Sequence, residues 1–181
     1  MASFLFFFFP VLAHSLASPP LPPPPALVQS TCSLTSNYAF CVAALQCDPR
    51  SLRANDVKSL SAIAVGIAFA KARSTSTYAS GMMTKNVTTA AAAAAFGTCA
   101  EKFKNAGEAL RWALGSLAQE NYDYSCMHVS AAQEYASACG RLFSRRSPAV
   151  AYPAAMAKRA DYLQRLCGTA LDIISQLVDA P

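Results

Sequence analysis

Cysteine and histidine are the residues of this sequence best suited to chemistry, and their numbers restrict what it can do. There are seven cysteines but two histidines, His14 and His128, and His14 lies in an apolar leader. A single remaining imidazole cannot build a zinc site that needs two or three, and no Gly-x-Ser-x-Gly segment supplies a hydrolase nucleophile. As a general base, His128 would also need an orienting carboxylate and a pocket. These observations predict a protein that is not an enzyme and that uses no metal or cofactor.

The cysteine spacing favours disulfides over metal or redox sites. No Cys-x-x-Cys pair occurs, which argues against zinc ribbons and thioredoxin-like centres. Disulfides form and persist in exported proteins, whereas cytosolic proteins keep their thiols reduced. Whether the cysteines pair therefore depends on whether the chain is exported. The seven are Cys32, Cys41, Cys47, Cys99, Cys126, Cys139 and Cys167.

The N-terminal residues predict export. Phe4–Leu12 is a continuous apolar run, and small residues up to Ala17 follow it, as in a secretory signal peptide with its cleavage site. The run is too short to span a bilayer, which takes roughly 20 residues. We therefore expect a signal peptide over residues 1–17, secretion to the extracellular space or cell wall, and a mature protein outside the membrane.

A proline-rich stretch separates the leader from the rest of the chain. Six prolines among the nine residues Ser18–Ala26 predict extended polyproline II structure, hence a linker over residues 18–27 and a domain over residues 28–181. One N-glycosylation sequon, Asn86-Val87-Thr88, falls at a break between helical patterns. In an exported protein, Asn86 is a candidate glycan acceptor.

Four long segments have apolar residues at the three-and-four spacing of amphipathic helices. They are Ala54–Met83, Thr89–Gln119, Tyr124–Phe143 and Tyr152–Val178. Short breaks separate them at Lys85–Thr88, Glu120–Asp123 and Ser144–Ala151, and no segment shows sustained period-two alternation. Because short connections make sequential helices antiparallel neighbours, the pattern predicts an all-α, up-down-up-down four-helix bundle.

The spacing also predicts which faces are buried. In the second long segment the apolar stripe is Phe96, Cys99, Phe103, Ala106, Leu110, Ala113 and Leu117. In the third segment the stripe is Tyr124, Met127, Ala131, Tyr135, Ala138 and Leu142. Each stripe is expected to face the core.

Symmetry about the turns predicts two disulfides. Cys99 and Cys139 each lie 20 residues from Gln119, where the chain turns between the second and third long helices. Antiparallel helices of equal rise bring such residues to the same height. Cys32 and Cys41 are likewise symmetric about a Ser-Asn pair, which suggests a small helical hairpin closed by a local disulfide.

Three cysteines are left over. Cys167 belongs to the apolar stripe of the last helix and is expected to be a small buried side chain. Cys126 lies off the stripe of its helix and could be exposed, and Cys47 follows the hairpin. A pairing of Cys47 with Cys126 stays open.

This combination of features resembles the plant invertase and pectin methylesterase inhibitor family. The resemblance rests on the secretory leader, the Cys-x8-Cys hairpin of Cys32 and Cys41, the Asp-Pro-Arg-Ser segment Asp48–Ser51, and Cys99 and Cys139 on adjacent helices. The family fold is a four-helix bundle with an N-terminal α-hairpin and two disulfides. The resemblance, which covers roughly Gln29–Val178, implies an extracellular inhibitor that caps the active-site cleft of a cell-wall enzyme in a stoichiometric complex.

The family has two target classes. Some invertase inhibitors carry a Pro-Lys-Phe segment in the turn before the third helix, and this chain has Tyr122-Asp123-Tyr124 at that place. The stretch Tyr122–Phe143 is more similar to the pectin methylesterase inhibitors. We therefore expect pectin methylesterase as the partner, with acid invertase as the alternative.

Polar residues of the second and third helices are the candidate contacts with the enzyme. They are Lys102, Asn105, Glu108, Gln133 and Glu134. For any one of them, a solvated helix face is the simpler interpretation.

The charge suggests a different class of function, a module that binds acidic polysaccharide. The net charge is +5, and basic residues cluster late in the chain, at Arg141, Arg145, Arg146, Lys158, Arg159 and Arg165. Solubility or retention in the wall explains the same charge more simply. Nucleic acid is not an expected partner, because export and the lack of a basic stripe with interleaved aromatics argue against it.

Overall fold

The computed structural model describes residues 23–85, 89–144 and 151–178, and this part of the chain is entirely helical. Two short helices come first, followed by a 3-10 helix (Pro49–Arg53) and four long helices. The α-helices are α1 (Ala26–Ser33), α2 (Tyr38–Gln46), α3 (Val57–Lys85), α4 (Ala90–Ala118), α5 (Tyr122–Ser144) and α6 (Ala154–Val178). The long helices agree with the predicted segments to within a few residues at each end.

Helices α1 and α2 form the expected hairpin. Asn37 begins α2, because its side-chain oxygen accepts a hydrogen bond from the Phe40 backbone N–H at 3.1 Å. Cys32 and Cys41 join the helices, with their Cα atoms 5.6 Å apart. The hairpin is fastened to α6, where the Gln176 side-chain amide donates to the Thr31 carbonyl oxygen at 3.1 Å.

The four long helices form a closed ring around one core. Helix α3 packs against α4, α4 against α5, α5 against α6, and α6 against α3. The α3–α6 pair and the α4–α5 pair are therefore opposite sides of the bundle. This is the predicted up-down-up-down arrangement with an N-terminal hairpin and two disulfides.

Helix α4 buries the face that its sequence predicts. Its N-cap is Thr89, whose hydroxyl oxygen accepts from the Ala92 N–H at 3.2 Å. All seven residues of the predicted stripe are buried, and Phe103 and Leu110 are completely inaccessible. The helix ends at a tight turn in which Glu120 adopts a left-handed conformation, with φ 59°.

The predicted buried face of α5 is wrong, because the real core face is rotated away from it. Tyr124 and Met127 are 56% and 55% exposed, and Ala131 is also exposed. The buried residues of α5 are mostly small: Ser125, Val129, Ala132, Ala136, Cys139 and Phe143. Small side chains let α5 approach its neighbours closely, while the larger aromatic and Met side chains lie at the seam with α4 or outside it.

A disulfide and a hydrogen bond fix α5 against α4. Cys99 and Cys139 are bonded, with their Cα atoms 5.0 Å apart. Nearer the turn, the buried Ser125 hydroxyl donates to the Ala113 carbonyl oxygen at 3.1 Å. The remaining cysteines are free thiols, with Cys47 exposed, Cys126 half-buried and Cys167 buried, so Cys47 and Cys126 do not pair.

Several sequence predictions fall outside the described residues. The leader at 1–17, residues 18–22 of the predicted linker, Asn86 with its sequon, and Arg145 and Arg146 belong to this group. Because α1 begins at Ala26, the last two residues of the predicted linker at 18–27 are helical. Within the described ranges, no helix combines the length and hydropathy needed to cross a membrane.

Candidate functional site

The helical bundle offers little that could support catalysis. Among the described residues, no three His, Cys, Asp or Glu side chains come together as a metal site. His128 is partly buried on α5, and no hydrogen bond or ion pair joins it to a carboxylate of the described chain. The general-base arrangement that His128 would need is therefore not built around it.

Three of the five predicted contact residues lie on the α4–α5 side of the bundle. The Lys102 ammonium lies 5.6 Å from the centre of the Tyr135 ring, so it bridges the two helices. Asn105 is exposed one turn further along α4. Glu134 on α5 is exposed and pairs with Arg141 at 3.3 Å.

The other two predicted contacts lie in neighbouring seams. Glu108 pairs with Arg111 at 2.7 Å and lines a hollow of about 400 Å³ between α3 and α4. Gln133 donates to the Gln164 carbonyl oxygen at 3.3 Å, in a hollow of about 340 Å³ between α5, α6 and the hairpin. The five residues therefore do not form one continuous patch.

Large exposed apolar side chains are the feature of the α4–α5 side that the sequence analysis missed. Trp112 on α4 is 57% exposed, and Tyr124 and Met127 on α5 are exposed to nearly the same degree. The bond between Ser125 and Ala113 makes Gln119 the midpoint of the two antiparallel helices. Trp112 and Tyr124 lie seven and five residues from it, so their levels along the bundle differ by about 3 Å. The signal was present in the sequence, since Trp112 falls between positions of the α4 stripe and must point outward.

We call this region the α4–α5 surface: Lys102, Asn105, Trp112, Tyr124, Met127, Glu134 and Tyr135. Asn105 and Trp112 are seven residues apart, which places them on one face of α4. Tyr124 and Tyr135 are eleven residues apart, about three helical turns, and share a side of α5. Exposed aromatic side chains with polar residues around them are typical of protein interfaces, where Trp, Tyr and Arg supply much of the binding energy.

The turn below this surface is held in place by an ion pair. Lys58 at the start of α3 contacts Glu120 at 2.7 Å, across from the α4–α5 turn. The pairing raises the pKa of Lys58 and lowers the pKa of Glu120, mainly through their hydrogen bond. Both groups are solvent-exposed, so the pair orders the turn more than it stabilises the fold.

Comparison with known proteins agrees with this architecture. Residues 26–173 match the family model of the plant invertase/pectin methylesterase inhibitors. Pectinesterase inhibitor 28 of Oryza sativa subsp. japonica is 44% identical over 91% of this chain and 76% of its own length. Cell wall / vacuolar inhibitor of fructosidase 2 of Arabidopsis thaliana is 39% identical over 84% of both chains.

The fold matches a solved structure as well. A pectin methylesterase inhibitor from Arabidopsis, in a mutant form, superposes with a TM-score of 0.67 over 82% of this chain and 95% of the other, at 22% identity. The helical bundle, the two disulfides, the family model and the curated relatives all agree. The chain therefore belongs to the plant invertase/pectin methylesterase inhibitor family, and it is an enzyme inhibitor rather than an enzyme.

Proposed function

We propose that this protein is a secreted inhibitor of pectin methylesterase. Its α4–α5 surface would cover the active-site cleft of the enzyme in a stoichiometric complex and so regulate the de-esterification of cell-wall pectin. The observation that carries the proposal is the exposed pair Trp112 and Tyr124, which two rigid neighbouring helices hold within about 3 Å of the same level.

The choice of pectin methylesterase is supported by the relatives and by the start of α5. The rice relative, a pectinesterase inhibitor by name, is similar over most of this chain. Some invertase inhibitors have Pro-Lys-Phe before the third bundle helix, and here the first helical turn of α5 is Tyr122-Asp123-Tyr124. An exposed tyrosine in this place presents an aromatic ring and a hydroxyl, without the lysine charge.

Rigidity is the physical basis of the proposed inhibition. Binding costs free energy when loops and side chains must be ordered, and a surface that is already ordered avoids part of that cost. The Cys99–Cys139 disulfide, the Ser125 hydrogen bond and the Lys58–Glu120 pair hold α4, α5 and their turn in one arrangement. Tyr and Trp also lose little side-chain freedom on binding, since each has two χ angles.

Export and processing belong to the same proposal. We propose that residues 1–17 are removed as a signal peptide, that the proline-rich stretch from residue 18 links the leader to a domain whose first helix begins at Ala26, and that Asn86 carries a glycan. The N-terminal sequence of the protein secreted from plant cells tests the cleavage, and release of a glycan by peptide-N-glycosidase tests Asn86. An intact Met1 in the secreted protein would contradict the leader.

Acid invertase is the competing target, because the relative from Arabidopsis thaliana is named as an inhibitor of fructosidase. Two assays on one preparation distinguish the targets: methanol release by a plant pectin methylesterase, and sucrose cleavage by an acid invertase. We expect loss of methanol release at equimolar inhibitor and unchanged sucrose cleavage. Full pectin methylesterase activity in molar excess of inhibitor, with invertase suppressed, would assign the protein to the other class.

A further inference from the structure

The side of the bundle opposite the α4–α5 surface carries a set of cations packed on aromatic rings. On the seam between α3 and α6, the Lys71 ammonium lies 4.6 Å from the centre of the Tyr162 ring. The Arg159 guanidinium lies 4.2 Å from the centre of the Tyr78 ring. These stacked contacts hold the charges close to the protein surface instead of letting them extend freely into solvent.

The arrangement continues onto the N-terminal hairpin. The Phe40 ring meets the Tyr162 ring edge-on, with their centres 5.5 Å apart. The Arg165 guanidinium lies over the Phe40 ring, 4.1 Å from its centre. Lys71, Tyr162, Phe40 and Arg165 thus form a continuous run, two rings with a cation at each end, that joins α3, α6 and α2.

The cations of this seam have no carboxylate partners in the described part of the chain. The ion pairs found there involve Arg50, Lys58, Arg111 and Arg141. The seam cations without an ion pair are Lys71, Lys158, Arg159 and Arg165. Of the acids that line this seam or the neighbouring hollow, Asp48 is paired with Arg50 at 2.6 Å, and Asp161 lines the hollow on the α5 side.

The seam is hollowed along its length. One depression of about 470 Å³ is bordered by Arg50, Gly66, Lys71 and Tyr162, among others. A second, of about 420 Å³, is lined by Lys71, Ala155, Lys158, Arg159 and Tyr162. Lys71 and Tyr162 line both, so the two depressions adjoin along the seam, and together they are treated as one groove. We call it the α3–α6 groove.

The groove is elongated and its charges are spread along it. Its α3 lining runs from Gly66 to Ser74. The cations along the seam extend further, because Arg50 lies beside Gly66 and Arg159 lies on the ring of Tyr78, twelve residues along α3 from Gly66. Twelve residues of helix correspond to about 18 Å. Charges distributed over this length suit a linear polyanion with regularly spaced groups better than a single phosphate, around which cations would converge.

We propose that the α3–α6 groove binds a segment of acidic polysaccharide, a linear polyuronate whose carboxylates contact Lys71, Lys158 and Arg159 while a sugar ring lies beside Tyr162. Lysine and arginine donate charge-assisted hydrogen bonds to carboxylates, and an aromatic side chain offers both an apolar face and a polar end. The choice of a polyuronate over other polyanions rests on the proposed function, because pectin methylesterase exposes galacturonate carboxylates. The groove itself is independent of the target enzyme.

The location of the groove would let the inhibitor bind polysaccharide and enzyme at the same time. Because the α3–α6 and α4–α5 pairs lie on opposite sides of the ring of helices, one molecule can contact polysaccharide and enzyme together. Retention on de-esterified pectin would raise the local concentration of the inhibitor where the enzyme acts. The late basic cluster of the sequence is thus divided: Lys158, Arg159 and Arg165 join Lys71 on this side, while Arg141 pairs with Glu134 on α5.

Titration calorimetry of the mature protein with a short oligogalacturonate tests the proposal, without any enzyme present. The control ligands are the methyl-esterified oligomer, which has the same backbone without charge, and a dextran sulfate of similar charge. We expect saturable binding of the oligogalacturonate that weakens with salt, no binding of the ester, and weaker binding of dextran sulfate. No saturable binding, or dextran sulfate bound at least as tightly, would overturn the proposal.

Paired variants locate the site. Lys71→Gln/Lys158→Gln removes two charges of the groove, and Arg53→Gln/Lys104→Gln removes two exposed charges elsewhere. The groove variant should bind the oligogalacturonate about tenfold more weakly or worse, with an unchanged melting temperature, while the control variant binds like the wild type. Equal weakening by the two variants would show a general charge effect and refute the site.

Pectin methylesterase inhibition, measured separately, should be the same for both variants, so failure of the proposed function is distinguishable from failure of the groove.

Discussion

The Ser125 hydroxyl, buried on α5, donates a hydrogen bond to the Ala113 carbonyl oxygen of α4 at 3.1 Å. This pair has the same midpoint in the sequence as the Cys99–Cys139 disulfide, at Gln119. A hydrogen bond near the turn and a covalent bond further away therefore impose one and the same register on the two helices. That register places Trp112 level with Cys126, so the exposed Tyr124 lies about 3 Å nearer the turn than Trp112.

Removing the Ser125 hydroxyl is expected to weaken this register. Ser125→Ala should lower the free energy of unfolding by about 1 kcal/mol, the usual net value of one intramolecular hydrogen bond. Urea unfolding measures the change. Ser130→Ala, at an exposed position of the same helix, is the control and should change stability by less than about 0.5 kcal/mol. Equal effects of the two substitutions would mean that the Ser125 bond contributes nothing.

The two disulfides are expected to contribute unequally to stability. Cys99–Cys139 closes a chain segment of 40 residues and Cys32–Cys41 one of nine. The loop-entropy model gives about 4 kcal/mol for the longer loop and about 2.6 kcal/mol for the shorter one. Urea unfolding of Cys99→Ala/Cys139→Ala and of Cys32→Ala/Cys41→Ala should follow that order. A larger loss from the hairpin pair would show that strain or packing, and not loop closure, dominates.

Alkaline pH should destabilise the fold through two buried groups. Burial raises the pKa of the Cys167 thiol to about 12, and burial likewise raises the pKa of the Tyr152 hydroxyl to about 12. Both pKa values lie above those of the unfolded chain, so only the unfolded state loses these protons as the pH first rises. Their stabilising effect is complete below about pH 9 and is lost progressively towards pH 12.

Two substitutions test this effect through the slope of the free energy of unfolding against pH. Tyr152→Phe keeps the ring, whose centre lies 4.8 Å from that of Phe143, but removes the titrating hydroxyl. Cys167→Ala removes the thiol. Each variant should lose less stability than the wild type between pH 8 and pH 11, measured by urea unfolding, whatever its stability at pH 8. The control is Tyr38→Phe, at an exposed tyrosine. If the stability of all three variants depends on pH as that of the wild type does, Tyr152 and Cys167 are not the cause of the alkaline loss.

The fold was largely predictable because its helices and turns have strong local signals. In α4, the apolar stripe from Phe96 to Leu117 has three-and-four spacing, and all seven of its residues are buried. The two disulfide partners of Cys99 and Cys32 followed from symmetry about turns, since antiparallel helices rise equally. These predictions needed no knowledge of how distant segments pack.

The buried face of α5 could not be predicted in the same way. This helix has apolar residues on two sides, and size pointed to the wrong one: Tyr124 and Met127 are exposed, while Val129 and Ala132 are fully buried. Close approach of neighbouring helices favours small side chains at the interface, which a hydrophobic pattern does not register. Ser125 is buried because its hydroxyl finds a carbonyl on α4, a partner that the sequence alone does not reveal.

The candidate surfaces were even harder to predict from the sequence than the buried face of α5. The groove depends on Lys71 and Lys158 lying on neighbouring helices, although they are far apart in the chain. The α4–α5 surface depends on the true rotation of α5, and the error in that rotation hid it. Polar residues were therefore chosen as contacts, and the structure distributes them over three seams.

The α4–α5 surface predicts which substitutions abolish inhibition. Trp112→Ala and Tyr124→Ala remove exposed rings without touching the core, so the fold should persist. Truncation of a central aromatic anchor typically costs about 2 kcal/mol of binding free energy, or about 30-fold in affinity. The control is Tyr38→Ala, which removes an exposed tyrosine from the hairpin.

Titration of a plant pectin methylesterase with these proteins, followed by methanol release, tests the central claim most directly. The wild type and Tyr38→Ala should abolish activity at a one-to-one ratio, while Trp112→Ala and Tyr124→Ala should need about 30-fold higher concentrations in the binding-limited range. Full enzyme activity in a molar excess of the wild-type protein would contradict the proposed target. Wild-type inhibition by both surface variants would contradict the proposed surface.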